Sequence, residues 1–195
     1  MSDFYTKLAP VAQLDRASDY GSEGWGFKSL RAYHERWGPK VLTNAHEAWM
    51  RWALKEAEKA LSQGEVPVGA VVVCADQIIG RGYNQTETLN DPTAHAEMIA
   101  ISAATHALHS WRLDNCSLYV TMEPCSMCAG AVVLARIKKL IFGVWDPKSG
   151  ACGSLRNIVQ DIRLNHQVEI QYGVREEECR ELLQSFFRKL RKTIQ

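Results

Sequence analysis

From Asn44 onward the chain alternates between two hydrophobic periods, and that alternation predicts a layered domain. Met50, Ala53, Leu54, Ala57 and Leu61 recur at helical spacing, with Asn44 and Glu47 placed as a capping box and Gly64 as the stop. The period then shortens. Val66 to Cys74 is a β-branched run, Ala75-Asp76 a turn and Ile78 to Gly82 a second strand, which together read as a hairpin. Pro67 and Gly69 predict an irregular start to the first strand, where backbone could approach a ligand closely. A polar loop from Asn84 to Asp91 leads to a helix with Ala96, Ile99, Ala100 and Ala103 as its apolar positions and Asp91 or Thr93 as its cap. Leu118 to Thr121 predicts a strand, Cys125 to Ile137 a helix with Pro124 in its first turn, Leu140 to Val144 another strand and Val168 to Tyr172 a last one. The final helix, from about Arg175, carries Cys179, Leu182, Leu183, Phe186 and Leu190 on one face and leaves Phe187 off that stripe. Strands alternating with helices imply an α/β/α domain around a mixed sheet.

Residues 1–40 show neither period, so no packed fold is expected there and the segment is predicted to be a disordered extension. The run from Val11 through Tyr33 also resembles the conceptual translation of a tRNA gene. The expectation is therefore a natural start near Val41, Leu42 or Met50 and one domain over residues 41–195.

Composition narrows the class. A chain of 195 residues that is 46% apolar can bury a real core as one domain. Its longest apolar run, around Ala129 to Ala135, falls far short of the ~20 residues that span a bilayer. No basic patch followed by an apolar run opens the chain, which favours a cytoplasmic, reducing compartment and no membrane partner. In that setting the six cysteines are not a disulfide framework, and two of them, Cys125 and Cys128, form a C-x-x-C that reads as metal binding. Cys74, Cys116, Cys152 and Cys179 have no ligand spacing and read as packing residues. A net charge of +1 means that any contact with a polyanion must be local.

The chemistry concentrates in Pro92-Thr93-Ala94-His95-Ala96-Glu97 and Thr121-Met122-Glu123-Pro124-Cys125-Ser126-Met127-Cys128. Cys125 and Cys128, three apart, share a helix face near unpaired N–H groups that favour thiolates. His95 begins another helix. Because positions i and i+2 of a helix point to nearly opposite sides, His95 must lie at or before the first turn if Glu97 is also to face the ion. Three protein ligands leave one zinc position open for a water, and a nearby carboxylate suits proton transfer to and from it. That pattern predicts a hydrolytic zinc enzyme.

Together with Glu65-Val66-Pro67-Val68-Gly69-Ala70, these motifs resemble the bacterial tRNA-specific adenosine deaminase family, within the cytidine deaminase-like superfamily, over about residues 44–192. The resemblance implies a three-layer cytidine deaminase-like fold with a mixed five-stranded sheet and one Zn2+ per subunit held by His95, Cys125 and Cys128. It implies hydrolytic deamination of adenosine to inosine at the wobble position of tRNA, with Glu97 moving the protons. It assigns substrate contacts to Asn84, on the flipped base or its ribose, to the backbone around Ala96 and Glu123, on the base edge, and to Asp146, with Trp145 and Cys152 departing from the family's loop pattern. Phe187 and Arg188, with the neighbouring cations, are expected to meet the anticodon stem-loop by stacking and phosphate contact. A homodimer sharing active-site walls is expected as well. Two rival readings stand beside it: a deaminase of a free base or nucleotide with the same metal signature, and a noncatalytic zinc-stabilised RNA-binding module.

Overall fold

The structure is a computed structural model and describes residues 44–194. The expectations for residues 1–40 and for a start at Val41 or Leu42 lie outside the described residues; Met50 lies within the first described helix.

That helix, α1 (Asn44–Ser62), buries Met50, Ala53, Leu54, Ala57 and Ala60. It ends ahead of Gly64, whose φ of 77° an L side chain would resist. Strands β1 (Gly69–Cys74) and β2 (Gln77–Tyr83) form the expected hairpin. Its turn residues Ala75 and Asp76 both have positive φ, 47° and 56°, the hand that matches strand twist in a two-residue loop. Gly69 does permit a close backbone approach, but to α1 and not to a ligand: a Cβ there would lie 2.1 Å from the Ala53 carbonyl oxygen.

Helix α2 (Ala96–Leu108), strand β3 (Cys116–Met122), helix α3 (Ser126–Leu134), strands β4 (Lys139–Val144) and β5 (Glu169–Tyr172) and helix α4 (Glu176–Ile194) complete the described chain. The sheet has five strands in the order β2-β1-β3-β4-β5. β1 runs antiparallel to both its neighbours, whereas β3, β4 and β5 are parallel. Alternate side chains of the central strands therefore feed two cores. Ala70, Val72, Leu118, Val120, Leu140 and Phe142 meet α2 and α3 on one face. Val71, Val73, Tyr119 and Ile141 meet α1 and α4 on the other. This is the three-layer α/β/α architecture implied by the periodicity.

Helix α3 stops at Leu134, short of the expected Ile137, because Arg136 adopts a φ of 60° and turns the chain into β4. On α2 the buried positions are Ala96, Glu97, Ala100, Ile101 and Ala104; Ile99 is half-buried and Ala103 is exposed. On α4 the stripe is wider than the sequence reading drew it. Phe187 lies one turn beyond Leu183 and is 1% exposed, packed with Leu183 and edge-on to Phe186 at 5.2 Å between ring centroids. Phe187 is a core residue, and the expectation that it stacks on RNA bases is corrected; Arg188 beside it is exposed.

Candidate active site

The two motifs converge where the parallel strands end. His95 is the N-cap of α2, in extended backbone at φ −76° and ψ 152°, and Cys125 is the N-cap of α3, also extended. Neither Asp91 nor Thr93 caps α2, because Asp91 Oδ1 accepts from the Thr93 N–H and hydroxyl in a turn of its own, each at 2.7 Å. Placing His95 outside the helix lets it escape the i, i+2 divergence, so its ring and the Glu97 carboxyl reach the same cleft.

His95 Nδ1 stands 3.7 Å from Cys125 Sγ and 3.5 Å from Cys128 Sγ, and the ligand atoms of all three residues lie within 4.8 Å of one another. Bond lengths of ~2.05 Å to nitrogen and ~2.3 Å to sulfur at a tetrahedral angle put N and S about 3.6 Å apart. The donor set therefore has the dimensions of a tetrahedral site able to hold a metal ion. Among the described residues no other group of His, Cys, Asp or Glu forms such a cluster. Cys116, Cys152 and Cys179 are buried and Cys74 half-buried, and none of the four belongs to the cluster.

Electrostatics agree with the donor chemistry. A hydrogen bond from the Cys128 thiol, with further help from His95, pulls Cys125 down to about 3, into thiolate form, and the same contact with burial pushes Cys128 up. Burial pushes the Glu97 carboxyl up to about 7, where it can both take and give a proton near neutrality.

The cleft holds about 280 Å³, close to the lower end of ligand pockets and suited to one base at a time. Asn84, His95, Glu97, Glu123, Cys125 and Asp146, all singled out from sequence, line it together with apolar walls from Val66, Val68, Pro92 and Met122. Cys128 is buried behind Cys125, and Ala96 is fully buried against Gly82, where a glycine Cβ would meet the Ala96 carbonyl oxygen at 2.2 Å. Phe187 and Arg188 do not line the cleft.

Two buried carboxylates hold its rims, and sequence reasoning missed both roles. Glu123 accepts from the backbone N–H groups of Asp146, Cys152 and Ser154, each at 2.9 Å, and from the Ser154 hydroxyl. It thereby seats the 146–154 loop against Cys125, which pairs with Gly150 in an isolated bridge. Asp146 in turn accepts from the Lys148 N–H at 2.9 Å and from the Ser149 hydroxyl, so it shapes the turn as well as facing the cleft. Trp145 is buried among Phe142 and Tyr172, at 4.7 and 4.8 Å between centroids, under Gly153, and Cys152 is buried beneath the loop, so both departures from the family pattern are packing features. Glu65 holds the opposite rim, on the Asn84 side. Nothing in sequence periodicity marks either acid, because their partners come from distant segments; only an acid at the edge of an apolar run hinted at them.

The MafB19-like deaminase family matches residues 44–191. The tRNA-specific adenosine deaminase of Bacillus subtilis is 54% identical over 143 residues, which cover 73% of this chain and 89% of that protein. Those of Haemophilus influenzae and Aquifex aeolicus are 50% and 49% identical, over 83% and 95% of their lengths. The chain belongs to the tRNA-specific adenosine deaminase family. Among solved structures, one from a study of A-to-I editing by tRNA:A34 deaminases at the wobble position superposes with a TM-score of 0.68 at 43% identity, covering 70% of this chain and 99% of that one. A guanine deaminase from Nitrosomonas europaea, at 21% identity and a TM-score of 0.65 over 79% of this chain and 91% of its own, shares the fold. Membership makes this chain a deaminase and accounts for its open cytidine deaminase-like sheet.

Proposed function

We infer that this deaminase converts adenosine to inosine at wobble position 34 of a tRNA anticodon by hydrolysis, with release of ammonia. The observation that carries the reading is the cleft in which Glu97 stands beside a three-donor His/Cys/Cys cluster, in a chain that is 54% identical, over the 143 residues matched, to a named tRNA-specific adenosine deaminase. One imidazole and two thiols suit zinc better than a hard oxygen-seeking cation, so His95, Cys125 and Cys128 would hold Zn2+. When bound, that ion supplies Lewis-acid activation of water.

Glu97 does the proton work. Its carboxyl takes a proton from the attacking water, delivers it to the adenine ring and carries the next to the departing amine, which a group poised near neutrality does well. Val66, Val68, Pro92 and Met122 give the base an apolar slot, and its edge is assigned to the backbone around Ala96 and Glu123, of which Glu123 lines the cleft. Asp146 and Asn84 face the rest of the nucleotide. Only a flipped-out nucleotide fits so small a cleft, which an anticodon loop offers at low unstacking cost.

Arg188 is an exposed cation on α4 and suits a phosphate of the stem-loop. A homodimer is supported by exposed Leu134, Leu155 and Ile162, at 73%, 56% and 83%. Among the described residues no helix is long and apolar enough to cross a membrane. A cytoplasmic location is the reading that a tRNA substrate supports.

The test measures inosine in an anticodon stem-loop RNA against deamination of free adenosine, guanine and cytosine by the zinc-loaded protein. Inosine forming at the wobble adenosine with little turnover of the free compounds is expected. Preference for a free compound would reject the tRNA reading.

A further inference from the structure

Glu65 is fully buried, carries no chemistry in the reaction, and yet collects three donors from one loop. Its Oε1 accepts from the Thr88 N–H at 2.7 Å; its Oε2 accepts from Asn84 Nδ2 at 3.2 Å and from the Thr86 hydroxyl at 3.3 Å. Asn84 Nδ2 also donates to Thr86 Oγ1 at 3.1 Å. A side-chain amide nitrogen has two hydrogens, so both of Asn84's are committed. The opposite amide rotamer would set Oδ1 against a carboxylate oxygen, two acceptors face to face, so the rotamer is fixed by Glu65. Oδ1 has no protein donor among the described residues, and Asn84 lines the cleft. The position offers the substrate an acceptor and no donor.

That polarity selects the substrate group. Adenine's only donor is its exocyclic amine, which must lie at Glu97 and the metal cluster to react; its ring nitrogens accept and cannot pair with Oδ1. Inside a polynucleotide the 3′- and 5′-oxygens are esterified. The 2′-hydroxyl is the one donor left, and it is what distinguishes RNA from DNA. Resting on the function inferred above, we propose that Glu65 is a positioning residue that locks Asn84 Oδ1 as the acceptor for the 2′-hydroxyl of the target nucleotide, and thereby gives the enzyme its preference for ribose at that position.

The experiment compares single-turnover rates on stem-loop RNAs that differ only at the target adenosine: ribose, 2′-amino, 2′-deoxy and 2′-fluoro. Wild-type enzyme is expected to favour the two sugars that can donate over the two that cannot by about tenfold, the effect of one hydrogen bond to a desolvated acceptor. Glu65→Gln keeps the shape but presents its own N–H to Asn84, freeing the amide to rotate. It is expected to bring the ribose-to-deoxyribose ratio close to one by slowing the two donating sugars, ribose and 2′-amino, and not the other two. Asn84→Ala should do the same, and adding Glu65→Gln to it should change the ratio no further. The sugar series on wild-type protein needs no variant to fold. Equal slowing of all four substrates by Glu65→Gln, or an unmoved ratio, would assign Glu65 a purely structural role and overturn the proposal. Wild-type indifference to the sugar would overturn the 2′-hydroxyl contact. No inosine from the ribose substrate would overturn the function itself, a result distinct from activity with an unmoved ratio.

Discussion

Glu97 and Cys125 flank the same cleft but carry separable tasks, and substitution should separate them. Glu97→Gln keeps the volume and removes the titrating oxygen, so zinc content measured by atomic absorption should stay at wild type while kcat on the stem-loop falls about 10²- to 10⁴-fold, the usual worth of a general acid–base group. Cys125→Ala takes one of three donors away and should lower zinc content and melting temperature together, since ion binding contributes to the folded state. A noncatalytic zinc module would instead tolerate Glu97→Gln without change in inosine yield. These residues were legible because metal ligation imposes short, chemically unusual spacings that survive without any knowledge of the fold. Glu65 and Glu123 were not legible in the same way. Each is a carboxylate whose role is to receive N–H groups from segments as far off as Thr88 and Ser154, and one-dimensional pattern carries no trace of such a meeting.

At the scale of elements, the 146–154 loop is the part of the site with least regular structure and the most dependence on one side chain. Three backbone N–H groups converge on the Glu123 carboxylate, and Gly150 sits so close that a Cβ would lie 2.2 Å from its Oε2. Removing the acid leaves those donors unpaired in a buried place, a cost of about 1–3 kcal/mol for each group that water cannot reach. Glu123→Ala is therefore expected to lower unfolding free energy in urea by roughly 3 kcal/mol and to loosen Asp146 and Cys125 together, which hydrogen exchange over 146–154 would register as lost protection. A variant with unchanged urea midpoint would mean that water replaces the carboxylate. Element positions themselves followed from period: the hairpin, three further strands and the four helices among the described residues lie where alternation placed them. Ends drifted where a single left-handed residue decided them, as at Arg136, and the face of α4 was drawn too narrow by one position. Phe187 is the instructive case. A helix lying flat on a sheet buries i, i+3 and i+4, and Leu183 already implied Phe187.

For the whole molecule, the layered fold was readable because two periods alternate through it, but the pairing order was not, since β1 bonds to β3 across a helix and a loop. That order has a consequence for where the functional chain must begin. α1 covers the sheet face on which Val71, Tyr119 and Ile141 lie, and the first residues of α1 contribute to it: Trp49 packs against that core, and His46 Nδ1 lies 2.9 Å from the Tyr119 hydroxyl. Among the described residues both cores are assembled from residue 49 onward, and deleting residues 1–40, which carry neither hydrophobic period, is expected to leave the melting temperature and the rate of inosine formation at their full-length values. Starting the chain at Met50 is a different matter, because it strips Trp49 from the core, removes the bond to Tyr119 and shortens α1 by its first turn and a half. That truncation should melt at least several degrees lower, as a loss of about 1–2 kcal/mol does in a domain of this size, with activity falling as the fold does. If the shorter deletion lost most of its activity, residues 1–40 would have a part in catalysis. Equal stability of the two truncations would instead mean that the start of α1 adds nothing to the α1–α4 face.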